Sequence, residues 1–410
     1  MTTRRRFLRT LGAGAALGAT GTAGCLGYRP PGLEFDPLRD RGLDEHASAQ
    51  FRGGLQNLGT VDAAVPDAVT VDWSLPVNRG SHTAAKSTPV ATPDGDVVIA
   101  GDTGTVRRVA PDGRVRWEAA VDPVTRGVHG TPAVANETVY VGAYDGAMYA
   151  FDLATGERRW RTRLGDAIGS SPVYFRGVVY VAVEYGTPSG SVAAVHAGTG
   201  ERLWLDRRPT DQPHSTVAID REAGRLVVGA NDGVCYGWSF PDLERAWAFE
   251  TGGPIKGPVA TAAGLAVFGS WDQRVYAVDL SDSTEVWSVE TGQDVMSGPA
   301  VDDGVVYVGS HDGHLYALDL ATGERRWRFP AGGWLIGSVT AAREHVLVGS
   351  YDDRLYAVRK ADGTEAWHVA GRGHATSAAL VTDDAVYYAE RAPNPGDSDV
   401  PGRLYRLVPA

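Results

Sequence analysis

The polarity pattern of the chain is one unit written many times. It is clearest from Val305 to Trp327, VVYVGSHDGHLYALDLATGERRW. Val305 to Ser310 is a β-branched and aromatic run, Leu315 to Leu320 is a second, and Arg325 to Phe329 is a third that carries Trp327. Asp312-Gly313 separates the first two runs and Thr322-Gly323 the last two. Such pairs are hairpin turns, because a two-residue turn needs φ > 0 and Gly supplies it without strain. Residues 139–160 (VYVGAYDGAMYAFDLATGERRW) and 346–367 (VLVGSYDDRLYAVRKADGTEAW) repeat the pattern. Runs such as VVYVGS are apolar without alternation, as expected of strands covered on both faces. A repeat of roughly 40 residues built of four strands predicts a β-propeller blade.

A tryptophan closes each unit: Trp73, Trp117, Trp160, Trp204, Trp247, Trp287, Trp327 and Trp367, at spacings of 44, 43, 44, 43, 40, 40 and 40 residues. After each comes a Gly-rich polar loop, then a step that opens strand A: Thr88-Pro89, Thr131-Pro132, Ser171-Pro172, Gly257-Pro258 and Gly298-Pro299, with degenerate forms at Ser215-Thr216, Gly337-Ser338 and Thr376-Ser377. Strands B, C and D follow, with the Trp in D. The last unit has strand A near Ser377–Val381, B at Ala385–Ala389 and C at Arg403–Val408, and no Trp strand. Trp73, conversely, has no blade before it. Val71–Leu75 is therefore expected to complete the last blade, closing an all-β, eight-bladed propeller of four-stranded antiparallel blades. Ring closure leaves no exposed end blade. The whole of residues 51–410 then forms one domain.

Residues 1–25 read as an export address. Arg4 and Arg5 sit in a twin-arginine pattern, the stretch from Leu11 to Gly24 is too short and too weakly apolar to span a bilayer, and Thr22-Ala23-Gly24-Cys25 resembles a lipobox. Cys25 is the expected lipidation site, anchoring the protein on the outer face of the cell membrane. Residues 26–50 are expected to form a flexible tether, and Gln50 to Gly59 to lie against the propeller. Cys235, one of 2 cysteines, falls in a strand C and reads as a buried apolar residue. Asn136-Glu137-Thr138 is a glycosylation sequon in an A–B turn.

Charge narrows the partners. The net charge is −11, and Lys86, Lys256 and Lys360 are the only lysines among 39 basic residues. An acidic surface with Arg replacing Lys is expected of a protein working in high salt, as in a halophile. It excludes general nucleic-acid binding, which needs a basic face. Nothing in the sequence calls for more than a monomeric propeller.

Ala317 to Trp327, ALDLATGERRW, resembles the tryptophan-docking motif of quinoprotein (PQQ-like) repeats. Ala150 to Trp160 matches it equally well, Ala194 to Trp204 in part, and in Ala277 to Trp287 Ser283 replaces the Gly. The resemblance covers about residues 70–410. It implies that each Trp packs on the neighbouring blade, a structural role. It also implies two function classes. One is quinone-dependent alcohol dehydrogenases, with PQQ and Ca²⁺ at the channel mouth. The other is non-enzymatic lipoproteins similar to the BamB-type outer-membrane assembly factors, with no cofactor. Several of the enzymes stack the quinone on a disulfide between adjacent cysteines, and no Cys-Cys occurs here. The expected function is thus a non-catalytic binding or scaffold module with an unknown protein partner, and the dehydrogenase is the alternative.

In a propeller the D–A loops and B–C turns surround the channel on one face. The D–A loops hold Arg79, His82, Lys86, Arg126, His129, His214, Lys256, Met296, Trp334 and His374. The B–C turns add Tyr144, Asn231, Trp271, His311 and Tyr351, each just before an Asp. Cations and aromatics around a channel mouth predict a site for an anionic ligand or a protein segment. The binding candidates are Lys86, Arg126, His129, His214, Lys256, Trp271, Met296, His311, Trp334, Tyr351 and His374. The repeated Asp145, Asp232, Asp272, Asp312 and Asp352 are expected to be turn residues, and no catalytic or metal-ligating set is assigned.

Overall fold

The computed structural model describes residues 43–79, 87–122, 126–393 and 400–410. Arg4, Arg5, Cys25, His82 and Lys86 lie outside them.

Eight four-stranded antiparallel sheets form the expected eight-bladed propeller. Blade 1 comprises Val90–Ala91, Val97–Ala100, Thr105–Val109 and Val115–Ala120, and blades 2 to 7 repeat that A-B-C-D order. Blade 8 takes strands A to C from Leu380–Val381, Val386–Ala389 and Gly402–Pro409, and its outer strand from Val69–Asn78. The register runs from Val69 opposite Pro409 to Asn78 opposite Gly402, with Trp73 opposite Arg406. The N-terminal strand therefore closes the ring, as the lone Trp73 required.

Strands B and C are buried because each sheet is packed between two others, which is why their sequences do not alternate. The tryptophans set the blade-to-blade contact. Trp287 donates its indole N–H to the carbonyl of Leu320 in the next blade at 2.8 Å, and Trp117 to that of Leu153 at 2.8 Å. The ring lies on the glycine of the next Thr-Gly turn. A Cβ on Gly323 (φ +73°) would meet the Trp287 ring at 2.8 Å. This makes the Gly of the repeat a packing requirement as well as a turn requirement. Ser283 (φ 64°) and Leu243 (φ 57°) hold that left-handed conformation without glycine in two of the degenerate units.

The Ser/Thr-Pro steps form a collar around the channel. Thr131 Oγ1 accepts the N–H of Thr88, Ser171 Oγ that of Thr131, and Thr216 Oγ1 that of Ser171. Thr88 Oγ1 accepts from Ala378, joining blade 8 to blade 1.

Residues 43–68 form a strap across one mouth of the channel. The A-strand N–H groups of Val134, Ile219, Thr261, Val301 and Ala341 donate to strap carbonyls of Ala49, Leu55, Gln56, Leu58 and Gly59 at 2.7–2.9 Å. Tyr174 N–H donates to Gln50 Oε1 at 2.9 Å. Arg52 points inward and is buried. It donates to carbonyls of Asn57, Leu58, Gly298, Pro299 and Val339, while Asn57 Nδ2 donates to Val217 and Val259. Docking begins before the boundary expected at Phe51: Asp44 accepts from the Tyr174 hydroxyl, Glu45 pairs with Arg176 at 2.7 Å, and Ser48 N–H donates to Val134. The inner edges of the A strands carry unpaired donors, and this stretch satisfies them in blades 2 to 7.

Cys235 is buried, and burial pushes its thiol above the ordinary range. Asn136 sits in an A–B turn as expected, but its amide nitrogen donates to Tyr174 Oη at 2.8 Å and its oxygen accepts from Asp44.

Candidate functional site at the channel mouth

The opposite mouth opens into a cavity of about 430 Å³. Nine of the eleven expected binding residues line it: Arg126, His129, His214, Lys256, Trp271, Met296, His311, Trp334 and Tyr351. His374 stands behind Tyr351, ring to ring at 4.4 Å and 10°, with its Nδ1 2.7 Å from Asp353 Oδ1. The wall also includes Tyr144, Gly169, Ile336 and Arg391. Asn231 and Arg79 are not part of it; Arg79 N–H is bound to Asp102 Oδ1 at 2.8 Å.

The repeat explains how residues so far apart in sequence meet. The D–A loops and B–C turns return to the same height on the axis, so residues from most blades meet at the mouth. The loop after strand D of blade 1 brings Arg126 and His129, and the B–C turn of blade 2 brings Tyr144. His129 and Tyr144 rings lie 4.3 Å apart, with Arg126 5.8 Å from the Tyr144 centroid. His214 Nδ1 lies 2.9 Å from Glu184 Oε1, a buried carboxylate at the end of strand B of blade 3 (Val178–Glu184).

On the other side, blades 5 to 8 present a continuous aromatic wall. Lys256 Nζ sits 3.6 Å from the Trp271 centroid. Trp271 meets His311 edge-on at 6.3 Å, His311 stacks on Trp334 at 5.1 Å and 11°, and Trp334 meets Tyr351 at 5.7 Å. Arg391 closes the row, 4.8 Å from the Tyr351 centroid. A cation on an aromatic face gains about 0.5–2 kcal/mol, more as water is excluded. Burial lowers the Lys256 ammonium below its ordinary range, while Asp211 and Asp294 oppose that shift. Arg391 is only 6% exposed, and its Nε and Nη1 are buried with no hydrogen-bond acceptor among the described residues. The Trp271 indole N–H is likewise buried and without an acceptor there.

The repeated aspartates are turn residues. Asp312 Oδ1 accepts the N–H of His314, and its Oδ2 accepts from the Tyr316 hydroxyl and from Gly292. Asp272 and Asp232 repeat the arrangement with Tyr276 and Tyr236. Their carboxylates are spent on loop geometry and not aimed at the cavity.

This donor set decides what the cavity suits. Calcium takes six to eight oxygen ligands, carboxylates above all. Among the described residues the lining offers ammonium, guanidinium, imidazole, indole and phenol groups, and no carboxylate. Among the described residues that set lacks the oxygen ligands a calcium-bound quinone needs. It does fit an anion held between cations and flat apolar faces.

Fold and mouth together define an eight-bladed propeller of PQQ-like repeats with a cationic, aromatic axial cavity. The family model of the outer membrane protein assembly factor BamB matches residues 59–289 and 271–400, and the chain belongs to that family. It is 30% identical to BamB of Bordetella pertussis over 159 residues, covering 37% of this chain and 38% of that protein. It is also 32% identical over 169 residues to a quinohemoprotein alcohol dehydrogenase of Comamonas testosteroni, covering 36% of this chain and 23% of that enzyme. The matched stretches thus span well under half of either relative. Among solved structures, BamB from Moraxella catarrhalis superposes with a TM-score of 0.64 at 16% identity, covering 82% of this chain and 97% of that one. The Comamonas enzyme superposes with a TM-score of 0.70 at 15% identity, covering 88% and 80%. At these identities the superpositions speak for the fold alone.

Proposed function

We propose that this protein is a non-catalytic binding and scaffold propeller, held on the outer face of the cell membrane through Cys25. Its axial mouth grips an anionic group, presented by a protein segment or a small ligand. One observation carries the reading: Arg126, Lys256 and Arg391 each lie against an aromatic ring around a cavity of about 430 Å³ whose lining, among the described residues, has no carboxylate. A cation in a partly dry site, offset only in part as Lys256 is by Asp211 and Asp294, costs free energy until an anion arrives, so the mouth favours anion capture. Membership of the BamB family supports a role in assembling surface or membrane proteins.

The test is crosslinking and recovery of partners from native membranes, using wild type, Lys256→Glu and Trp334→Ala. Loss of the recovered partner with either variant supports the reading. Undiminished recovery with both overturns the choice of mouth.

The second reading, a quinoprotein-like dehydrogenase, is favoured by the Comamonas relative. Purified protein supplemented with PQQ and Ca²⁺ distinguishes the two. A stoichiometric quinone absorption band with alcohol-dependent dye reduction establishes the enzyme, and its absence leaves the binding module.

A further inference from the structure

We propose that the strap leaves a second docking site, on the face opposite the aromatic mouth, for an extended acidic segment of a partner protein. The argument starts from the inward donors of the A strands. In six blades the residue next to the hairpin-closing pair points its N–H at the strap: Val134, Tyr174, Ile219, Thr261, Val301 and Ala341. The positions of the same register in blades 1 and 8 are Ala91, opposite Val97, and Val381, opposite Val386. Among the described residues, no strap carbonyl meets either N–H. Both residues line a separate, partly open cavity of about 240 Å³ between the two arms of the strap and the inner edges of blades 8 and 1.

The dimensions match a short extended chain. The strap serves blades 4 to 7 with Leu55, Gln56, Leu58 and Gly59, five residues for four blades. Two further blades therefore need two or three residues, spaced as the strap's own. Backbone hydrogen bonds to an open edge are the way such segments add to a sheet. The walls set the side chains. Ala47, Ala49, Gly53, Ala378 and Ala379 give room for a backbone and small residues only.

Charge sets the remaining requirement. Arg52 is on the cavity wall, and its bonds all go to uncharged carbonyls. No carboxylate among the described residues pairs with it. The carbonyls take all five N–H groups of Arg52 but carry no net charge, so a side-chain carboxylate on the incoming segment offsets the remaining positive charge through space, without a hydrogen bond to the guanidinium. The occupant is accordingly an extended run of small residues with one Asp or Glu.

The experiment uses the purified full-length protein and the capped peptide acetyl-Ala-Ala-Asp-Ala-Ala-amide. Two controls are its Asn analogue and a backbone-ester (depsipeptide) analogue, whose carbonyls are weaker acceptors for the inward N–H groups. Calorimetry is expected to show saturable binding of the Asp peptide, with affinity down about tenfold or more for each control. Ala379→Trp, which fills the cavity, is expected to abolish binding while leaving the aromatic mouth intact. Hydrogen exchange supplies an independent readout. In the free protein, Ala91 and Val381 amides should exchange faster than the six strap-bound equivalents, and the peptide should slow them. Equal binding of all three peptides, binding unaffected by Ala379→Trp, or no saturable binding overturns the proposal. Ala91 and Val381 amides already protected in the free protein overturn it as well. None of these outcomes bears on the aromatic mouth, so this site and the proposed function stand or fall separately.

Discussion

Trp367 donates its indole N–H to the carbonyl of Pro66, 301 positions earlier, at 2.7 Å. In the other blades this acceptor lies in the C–D turn of the next blade, as Lys360 does for Trp327 at 2.9 Å. Blade 8 has no such turn, because its strands C and D come from the two ends of the described chain. The strap just before Val69 supplies the missing carbonyl, so ring closure involves a tryptophan dock as well as a strand pair. Trp204 is the exception. Its ring meets Trp238 edge-on at 6.1 Å, and its N–H has no neighbouring-blade acceptor among the described residues. Trp367→Phe should therefore cost about 1 kcal/mol more than Trp204→Phe, the net worth of one hydrogen bond. Denaturant midpoints of the two variants check this, and equal midpoints would remove the closing role of Pro66.

Arg52 tests the strap as a plug. Its guanidinium satisfies carbonyls from blades 6 and 7 and from the strap itself, a fan of donors that a lysine ammonium cannot reproduce. Burial brings its pKa down to about 9, so the cation is held at a cost that the carbonyls offset. Arg52→Lys should lower stability by about 2 kcal/mol or more, since each buried carbonyl left unpaired costs about 1–3 kcal/mol. Thermal unfolding reads this directly. A midpoint within about 1 °C of wild type would mean the strap is held by its backbone bonds alone.

Glu390 gives a pH dependence with a definite sign. Burial, with the charge of Asp353 beside it, raises its carboxyl to about 8, against bonds from Tyr405 and from the N–H groups of Arg372 and Gly373. The folded state therefore holds a proton that the unfolded state releases near 4.5. The stabilisation is complete below that value and is lost as pH rises through about 8. Glu390→Gln should flatten the decline in stability between pH 5 and 8, read as the difference in unfolding midpoint at the two ends. A variant that keeps the wild-type slope would assign the titration to another group.

The period, the blade count and the closing strand were legible in the sequence, because one tryptophan per blade and a lone Trp73 leave few alternatives. Much of the mouth was legible for the same reason: Lys256, Met296 and Trp334 occupy D–A loops whose position on the axis follows from the repeat. What escaped lies where the repeat breaks. Arg391 follows Glu390 in a B–C loop of blade 8 that has no Asp-Gly turn, and Glu184 ends an extended strand B, so neither position has a counterpart to point to it. The strap was placed only roughly. Its residues have no period, and the signal that fixes them, one inward N–H per blade, belongs to the folded ring.

Trp334 separates binding from folding. Its side chain is half exposed, stacked on His311 and against Tyr351, and it stands outside the docking register. Truncation to Ala leaves no buried cavity and removes no hydrogen bond, so stability should change by less than about 0.5 kcal/mol. An anionic ligand seated on the aromatic wall, by contrast, loses a flat face that contributes about 1–3 kcal/mol in stacking sites. Wild-type protein titrated with such a ligand should show a change in tryptophan fluorescence, from Trp334 and from Trp271 beside Lys256, and Trp334→Ala should weaken that titration about tenfold at unchanged unfolding midpoint. Unaltered affinity in Trp334→Ala would move the site off blades 5 to 8 toward Arg126 and Tyr144. A lowered midpoint would instead make the exposed indole part of the scaffold.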